Sequence, residues 1–471
     1  MRPPVDQVLI VAAMRAAEEA LIAAGTSVEK LMDVAGRGAA DWVWRVAAHR
    51  PVTVLCGPGN NGGDGYVIAE ALRTRGGEVC VIAASETKTE AARNAAALFG
   101  GEVMGVDASP HGDVLVDCLF GSGLTRALGA DHLRLLTRLA TSHRTRIAID
   151  LPSGVESDSG AMLNAGLPDY QLTIALGAWK QAHFLMPAAA KMGALRLVGI
   201  GVEPVPGAAE VVRQPRFAMP AADAHKYKRG LLGVIGGAMP GAALLACTSA
   251  RGAGAGYVKL LGEDRALPMP PDLVIDGSTL VDALADPRFN ALLIGPGLGR
   301  DDAARDRLRA VLAADVPTVL DADALILLTP ANLSGRKSSL IATPHEGELA
   351  ALEKAFGLTS IGTITGSKPD RARALAAASG MIVVAKGPDS VIAEPDGHIA
   401  FVPRASSWLS TAGTGDVLAG ALASRLSTGA DPFAAACQAV WLHAEAARLA
   451  GPTFTASALA AEMRSAYAAC L

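Results

Sequence analysis

Short apolar runs alternate with amphipathic helical stretches along most of the chain, and a turn of small residues follows nearly every run. In the first half the runs fall at Val52–Cys56, Glu78–Ala83, Val114–Cys118, Arg146–Leu151, Leu172–Leu176 and Leu195–Val198. Most are apolar at successive positions rather than at every second one, as in strands buried on both faces. Two helices, around Asp6–Ala24 and Val28–Ala48, come before them, and another is predicted at Tyr66–Arg73. Strands separated by helices predict a parallel sheet. The periodicity lapses between Gly199 and Ala224, where Pro206, Pro215 and Pro220 fall among small residues. It resumes with runs at Leu231–Ile235, Ala291–Ile294, Thr318–Leu320, Leu340–Ala342 and Met381–Ala385, a strand from Tyr257 and a helix at Ala242–Arg251. The expected organisation is therefore a first domain over 1–212, a linker over 213–224 and a second domain over 225–471.

Size and composition agree with two α/β domains. A chain of 471 residues is too long for one ordinary core. Hydrophobic residues make up 51% but aromatics only 4%, and 51 glycines suit many tight strand-to-helix turns. A net charge of −4 gives no footprint for nucleic acid or an anionic membrane. The six cysteines are scattered without a CxxC pair, as in a reduced cytoplasmic protein. The apolar run Val8–Met14 is short and followed by Arg15, Glu18 and Glu19, so it reads as an amphipathic helix and not as a signal peptide.

Chemistry gathers where the strands end. After Val52–Cys56 comes a loop, Gly57 to Gly65, whose Gly57/Gly59/Gly62 formally match G-x-G-x-x-G. The asparagines Asn60 and Asn61 and the carboxylate of Asp64 would crowd a pyrophosphate, so a polar ligand with ribose and amide groups fits better. Asp117 and Asp150 each close a strand, and Gly121-Ser122-Gly123 and Pro152-Ser153-Gly154 follow them. In a parallel sheet such positions converge on the carboxyl-edge crevice. Oxygens of Asn61, Asp117 and Ser153 suit a hard cation, and one of the carboxylates suits proton transfer. Each aspartate alone is as readily a turn residue or helix cap.

In the second half, Ala412-Gly413-Thr414-Gly415 runs into an apolar helical pattern with Asp416 at the junction. Open N–H groups at such a helix start attract a phosphate, and Asp416 suits a base that takes a proton from an attacking hydroxyl. Lys386-Gly387-Pro388-Asp389-Ser390, after Met381–Ala385, suits either a nucleotide phosphate or a plain hairpin turn with Lys386 exposed. Thr343 and Glu346 form an S/T-x-x-E capping box with Pro344 at the first helical position, which leaves His345 to face the crevice. The basic run His225 to Arg229 is either solvated or phosphate-facing.

Gly59-Asn60-Asn61-Gly62-Gly63-Asp64-Gly65, Val116 to Leu124 and Asp150 to Gly154, in that order, resemble the NAD(P)H-hydrate epimerase family, which implies a Rossmann-like domain. Resemblance implies that Asn60, Asn61, Gly62, Gly63, Asp64, the segment Gly121, Ser122, Gly123, Leu124, Thr125, Arg126 and Ala127, and a catalytic Asp150 contact the hydrated nucleotide. It also implies K+ on Asn61, Asp117 and Ser153. Beyond the linker, His225-Lys226, Gly236-Gly237, Gly295 to Gly299, Thr343-Pro344-His345, Lys386-Gly387 and Ala412 to Leu418 resemble the ribokinase-like ADP/ATP-dependent NAD(P)H-hydrate dehydratases. That resemblance implies an adenine nucleotide on Lys386, Gly387, Pro388, Asp389, Ser390 and Gly415, with Mg2+. It places Ala250, Gly299, His345 and a catalytic Asp416 against the hydrate. The expected activity is epimerisation of the R and S hydrates of NADH and NADPH (NADHX and NADPHX). Dehydration of the S form, coupled to hydrolysis of ADP or ATP, follows it. A homo-oligomer is expected. A ribokinase-like small-alcohol kinase fused to a nucleotide-binding module is the alternative. Ser390 replaces the family's usual Thr, Glu346 its frequent Pro, and Ser406-Ser407-Trp408-Leu409 its Gly-Asn-Pro-like lead-in.

Overall fold

The computed structural model describes residues 6–110, 112–262, 270–358 and 366–471. It divides into two compact units, Met1–Glu210 and Val211–Leu471.

The strands of the first unit are β1 (Gln7–Val8), β2 (Val52–Cys56), β3 (Val79–Ala83), β4 (Glu102–Met104), β5 (Gly112–Cys118), β6 (His143–Ile149), β7 (Leu172–Leu176), β8 (Ala194–Val198) and β9 (Ala209–Val211). Seven of them form one sheet in the order β4-β3-β2-β5-β6-β7-β8, every neighbouring pair parallel. Helices cover both faces because side chains alternate across it. Val54, Val116 and Ile147 join the core that holds the Val28–Ala47 and Asn60–Thr74 helices, while Leu55, Leu115 and Ile82 join the core of the Ala130–Ser142 helix. The chain winds one way from β2 to β4 and the other way from β5 to β8. The switch between β2 and β5 opens a crevice at their carboxyl ends.

Two expectations change here. The first helix starts only at Val11, because Gln7 and Val8 pair antiparallel with Glu210 and Ala209 and the Leu9 N–H donates to Trp179 O. The expected loop Gly57–Gly65 is largely helix: Asn60–Thr74 is one continuous helix, so Asn60 to Gly65 form its first turns. Close packing outweighs the poor helix propensity of these residues. A Cβ on Gly62 would lie 1.9 Å from Gly57 O, one on Gly63 2.5 Å from Met32 Cε, and one on Gly65 2.7 Å from Cys56 Sγ.

The second unit has β10 (Leu231–Ile235), β11 (Tyr257–Leu261), β12 (Val274–Asp276), β13 (Phe289–Ile294), β14 (Thr318–Leu320), β15 (Leu340–Ala342), β16 (Ile382–Ala385), β17 (Val391–Ala393) and β18 (Ile399–Phe401). They are ordered β12-β11-β10-β13-β14-β15-β16-β17-β18, parallel up to β16 and antiparallel from β16 to β18. The switch point here lies between β10 and β13. Helices Pro240–Gly252 and Thr414–Ser427 pack against each other in its main core. They approach so closely at Gly420 that a Cβ there would meet Ala246 O at 2.2 Å. Ala favours a helix over Gly by about 1 kcal/mol, but the obstacle is backbone and cannot swing away. Gly420→Ala is therefore expected to destabilise the second unit by about 1–3 kcal/mol, read as a lower urea midpoint for its unfolding; an unshifted or raised midpoint would refute this packing.

Residues 213–224, expected as linker, are anchored to the second unit. The Phe217 N–H donates to Cys470 O, and its ring stacks on Tyr467 at 4.6 Å beneath the Arg425 guanidinium. The break between units falls earlier, at 210/211. The basic run His225–Arg229 precedes β10 and so sits at the amino edge of the sheet. There Lys228 pairs with Asp223, and Lys226 lies over Tyr227 and Tyr257.

Candidate active sites

In the first unit the crevice between the ends of β2, β5 and β6 collects the acidic residues. Asp117, wholly buried, accepts from Leu119 N (3.1 Å), Ser153 N (3.1 Å), Ser153 Oγ (2.7 Å) and the Tyr170 hydroxyl. Burial raises its pKa against the pull of these donors. Asp150, just past β6, has φ of 64°, a left-handed conformation that costs energy for a non-glycine residue. Its carboxylate accepts from Lys180 Nζ at 2.5 Å and Ser122 N at 2.9 Å. Lys180, 1% exposed, also donates to Leu176 O at 2.6 Å. Burial works to raise the pKa of Asp150, but the Lys180 charge and hydrogen bond outweigh it and hold the carboxyl below its ordinary range. Asp64 behaves oppositely: burial first, then the charges of Asp150 and Glu18, push its pKa well up. His183 has its pKa lowered to about 4 by burial and the Lys180 charge. Its Nδ1 accepts from Lys180 N at 2.9 Å and its Nε2–H donates to Asp150 O at 2.8 Å, which fixes a neutral tautomer and the backbone of Asp150.

Asn61 lines the same crevice, and both polar atoms of its amide are buried without a hydrogen-bond partner. A Cβ on Gly121 would lie 3.0 Å from Asp150 Oδ2 and 3.2 Å from Asn61 Oδ1, so the Gly121 turn closes directly over these groups. Gly123 stands beside the guanidinium of Arg15. Asn60, Thr125, Arg126 and Ala127 are exposed at the rim. Lys180, Tyr170 and His183 were not singled out from the sequence. Each sits far along the chain from the motifs and reaches the site only through the fold.

In the second unit Gly413, at φ 87°, starts the Thr414–Ser427 helix with no side-chain cap. Among the described residues, the N–H groups of Gly415 and Asp416 donate to no backbone acceptor. Thr414 Oγ1 lies 2.8 Å from Leu409 O and 2.9 Å from Thr411 O, fastening the turn to the 3-10 helix Ser407–Leu409 that replaces the usual lead-in. Buried His443, its pKa lowered to about 4, braces the Thr414 carbonyl from Nε2 at 2.9 Å. Burial and then the neighbouring Asp321 raise the Asp416 pKa to about 6, against Lys386. Lys386 Nζ donates to Asp321 Oδ1 at 2.6 Å and lies 3.8 Å from Glu348 Oε2. Burial pulls the Lys386 pKa down, but Asp321 and Glu348 more than restore it, so the ammonium stays charged. Asp321 follows β14, and Thr343 Oγ1 donates to it at 2.6 Å. It is the charged partner that sequence reasoning missed.

Other expected residues fall differently. Residue His345, not Thr343, is the N-cap of the Glu346–Ala355 helix: its Nδ1 accepts from Gly347 N and Glu348 N, and Glu348 completes the box by accepting from His345 N. Thr343 is committed to Asp321, and Glu346 pairs with Arg371. Ala250 is fully buried in the helix–helix core, so its side chain has no exposed surface to offer a substrate. The Lys386–Ser390 segment is the hairpin turn between β16 and β17, yet Lys386 itself points inward. Ser390 Oγ accepts from Gly387 N at 3.0 Å, and Asp389 pairs with Lys368. Gly299, at φ 85°, has its N–H bound to Asp323 Oδ2 at 3.0 Å.

Two doubly wound units, each with a buried acid–lysine pair at the carboxyl edge of its sheet, define an α/β enzyme with two separate sites. Comparison with known proteins makes the class specific. The NAD(P)H-hydrate dehydratase family matches residues 232–468, and the family described as YjeF-related protein N-terminus matches 28–182. The bifunctional NAD(P)H-hydrate repair enzyme of Thermanaerovibrio acidaminovorans is 32% identical over 91% of both chains. That of Salinibacter ruber is 33% identical over 96% of this chain and 93% of its own. The ADP/ATP-dependent NAD(P)H-hydrate dehydratase of Bacillus subtilis, co-crystallised with ATP and Mg2+, is 28% identical over 54% of this chain and 95% of its own, with a TM-score of 0.47. This chain belongs to the bifunctional NAD(P)H-hydrate repair enzyme family.

Proposed function

We propose that the chain repairs hydrated NADH and NADPH, the first unit interconverting the R and S hydrates and the second dehydrating the S form at the expense of ADP or ATP. The observation that carries this reading is Asp416: a carboxylate with its pKa raised to about 6, beside two uncommitted N–H groups and a charged lysine. Asp416 takes the proton of the hydrate hydroxyl as that oxygen forms a bond to the terminal phosphorus. The phosphorus–oxygen bond to AMP (or ADP) breaks in the same displacement. The Gly415 and Asp416 N–H groups and Lys386 face the transferring charge. Phosphate then leaves the ring carbon with its bonding electrons, and loss of a proton from the neighbouring carbon restores the reduced nicotinamide. Mg2+ bound together with the nucleotide would supply charge neutralisation for the transferring phosphate, beside Lys386 and the Gly415 and Asp416 N–H groups.

In the first unit Asp64 and Asp150, their pKa values pushed apart, suit an acid and a base on one site. Protonated Asp64 is able to give a proton to a departing hydroxyl, and ionised Asp150 to take one from the water that returns on the other face. The orphaned Asn61 amide suits K+; Ser153 Oγ and the Asp117 carboxylate, hydrogen-bonded to each other at 2.7 Å, would be its other oxygen donors, and a bound ion would supply fixed positive charge. Asp117 already accepts four hydrogen bonds, so it would have to exchange one of them. No helix among the described residues is long and apolar enough to cross a membrane. A cytoplasmic homo-oligomer is part of this proposal.

Pure R hydrate tests both halves. With Mg2+ and nucleotide, the full chain should return reduced-nicotinamide absorbance without a lag. A chain whose first unit is inactivated by Asp150→Asn should be held to the slow spontaneous epimerisation rate. Equal rates would remove the epimerase from the proposal. Accumulation of a stable phosphate ester in place of reduced cofactor would establish the small-alcohol kinase instead.

A further inference from the structure

At the switch point of the second unit lies a pocket of about 390 Å3 whose lining includes Gly236, Gly237, Gly262, Leu298, Asp301 and Arg307. It opens past the ends of β10, β11 and β13, where ligands of open parallel sheets bind. The volume is that of a small-molecule site. The turns that frame it are glycine-rich, so backbone and not side chains forms much of its wall. It is separate from the Asp416 cluster, whose charged groups follow β14, β15 and β16. The two regions belong to one carboxyl edge, and the Gly295–Gly299 turn after β13 lies between them. From β14 to β10 is two strand spacings, roughly 10 Å, a step that an extended dinucleotide can bridge.

Arg307 is the distinctive group. It lies on the helix Asp302–Ala313, half-buried, with its neighbours Arg305 and Arg309 each paired to an aspartate three residues back. Arg307 itself has no ion pair or hydrogen bond among the described residues, although it lines the pocket. A guanidinium left uncommitted in a concave site suits a phosphate, which it can grip through two parallel hydrogen bonds. The carboxylate in the same lining is Asp301, one of whose oxygens is occupied as the helix cap by Ala304 N at 2.8 Å. An acidic group for a ribose hydroxyl and an arginine for a 2′-phosphate are the two chemistries that separate NAD-type from NADP-type recognition.

We infer that this pocket seats the adenosine end of the hydrated dinucleotide while its reacting ring lies at Asp416, and that Arg307 binds the 2′-phosphate that distinguishes NADPHX from NADHX. This rests on the dehydratase reading of the second unit and adds the specificity of that site. The test is dehydration of the S hydrates by the full-length Arg307→Leu chain with ADP and Mg2+. The ratio of kcat/KM for NADPHX to that for NADHX should fall at least tenfold, through KM, and Arg307→Lys should recover part of it. An unchanged ratio, whether both values fall together or neither moves, overturns the assignment of Arg307. A wild-type chain that dehydrates neither hydrate overturns the dehydratase reading itself, and this inference with it.

Discussion

Asp416→Asn is expected to abolish dehydration and to leave epimerisation intact. The substitution keeps the size of the side chain at the start of the Thr414–Ser427 helix, where Asn and Asp are both tolerated, so the fold of the turn should survive. What it removes is the oxygen that takes the hydroxyl proton. Loss of a general base costs about 10²–10⁴-fold in rate, and the return of reduced nicotinamide should fall by that factor with little change in nucleotide affinity. The wild-type pH profile gives an independent check. Asp416 works as a base only when ionised, and its pKa is raised to about 6. Dehydration should therefore be at full rate above that value and lose about tenfold per pH unit below it. The neighbours set this position: Asp321 pushes the pKa up and Lys386 pulls it down. Asp416→Asn should lack the acid limb altogether. Retained activity with the limb in place would assign the base elsewhere.

The Asp416 turn was legible in the sequence because its parts are adjacent: the glycines, the threonine and the carboxylate fall within four residues. The same holds for the Asn60–Asp64 segment as a set of groups, though its conformation was misread. Asparagine and glycine resist helix formation in isolation, yet Gly65 is needed to let that helix lie against Cys56 of β2 and Cys118 of β5, Gly63 to let it pass Met32, and Gly62 to let it pass the Gly57 backbone. The cap was misplaced by two residues, since Thr343 and His345 both stand three residues before a glutamate. The fold decided it by committing Thr343 to Asp321. Asp321, Lys180, Tyr170 and His443 were invisible for a different reason. None belongs to a local motif that requires it, and each acquires its role from a partner 29 to 65 residues away. The α/β architecture with its parallel strands was readable from periodicity; the order of the strands in each sheet and the pairing of buried charges were not.

Lys180 carries the largest expected effect on stability. Its ammonium is the cation hydrogen-bonded to Asp150, the pair is nearly sealed from water, and Lys180→Met would leave the carboxylate buried without its counter-charge. Such a loss costs about 3–5 kcal/mol, and the first unit should melt early while the second keeps its own transition. Linkage gives the sign of the pH effect. In the folded chain Asp150 is held below its unfolded pKa of about 3.9, so the pair stabilises above that pH and the contribution is lost as pH falls through the depressed value. In Lys180→Met the remaining burial pushes the Asp150 pKa up instead. The variant should then be less stable at neutral pH than at mildly acid pH, the reverse of this group's contribution in the wild type. Adding Asp150→Asn to Lys180→Met removes the buried charge, and Asn accepts the left-handed backbone at that position more readily than most residues. The double variant should recover much of the lost stability and none of the epimerisation. Early melting without this recovery would mean that Lys180 acts through packing. Epimerisation surviving in the double variant would move the proton transfer away from Asp150.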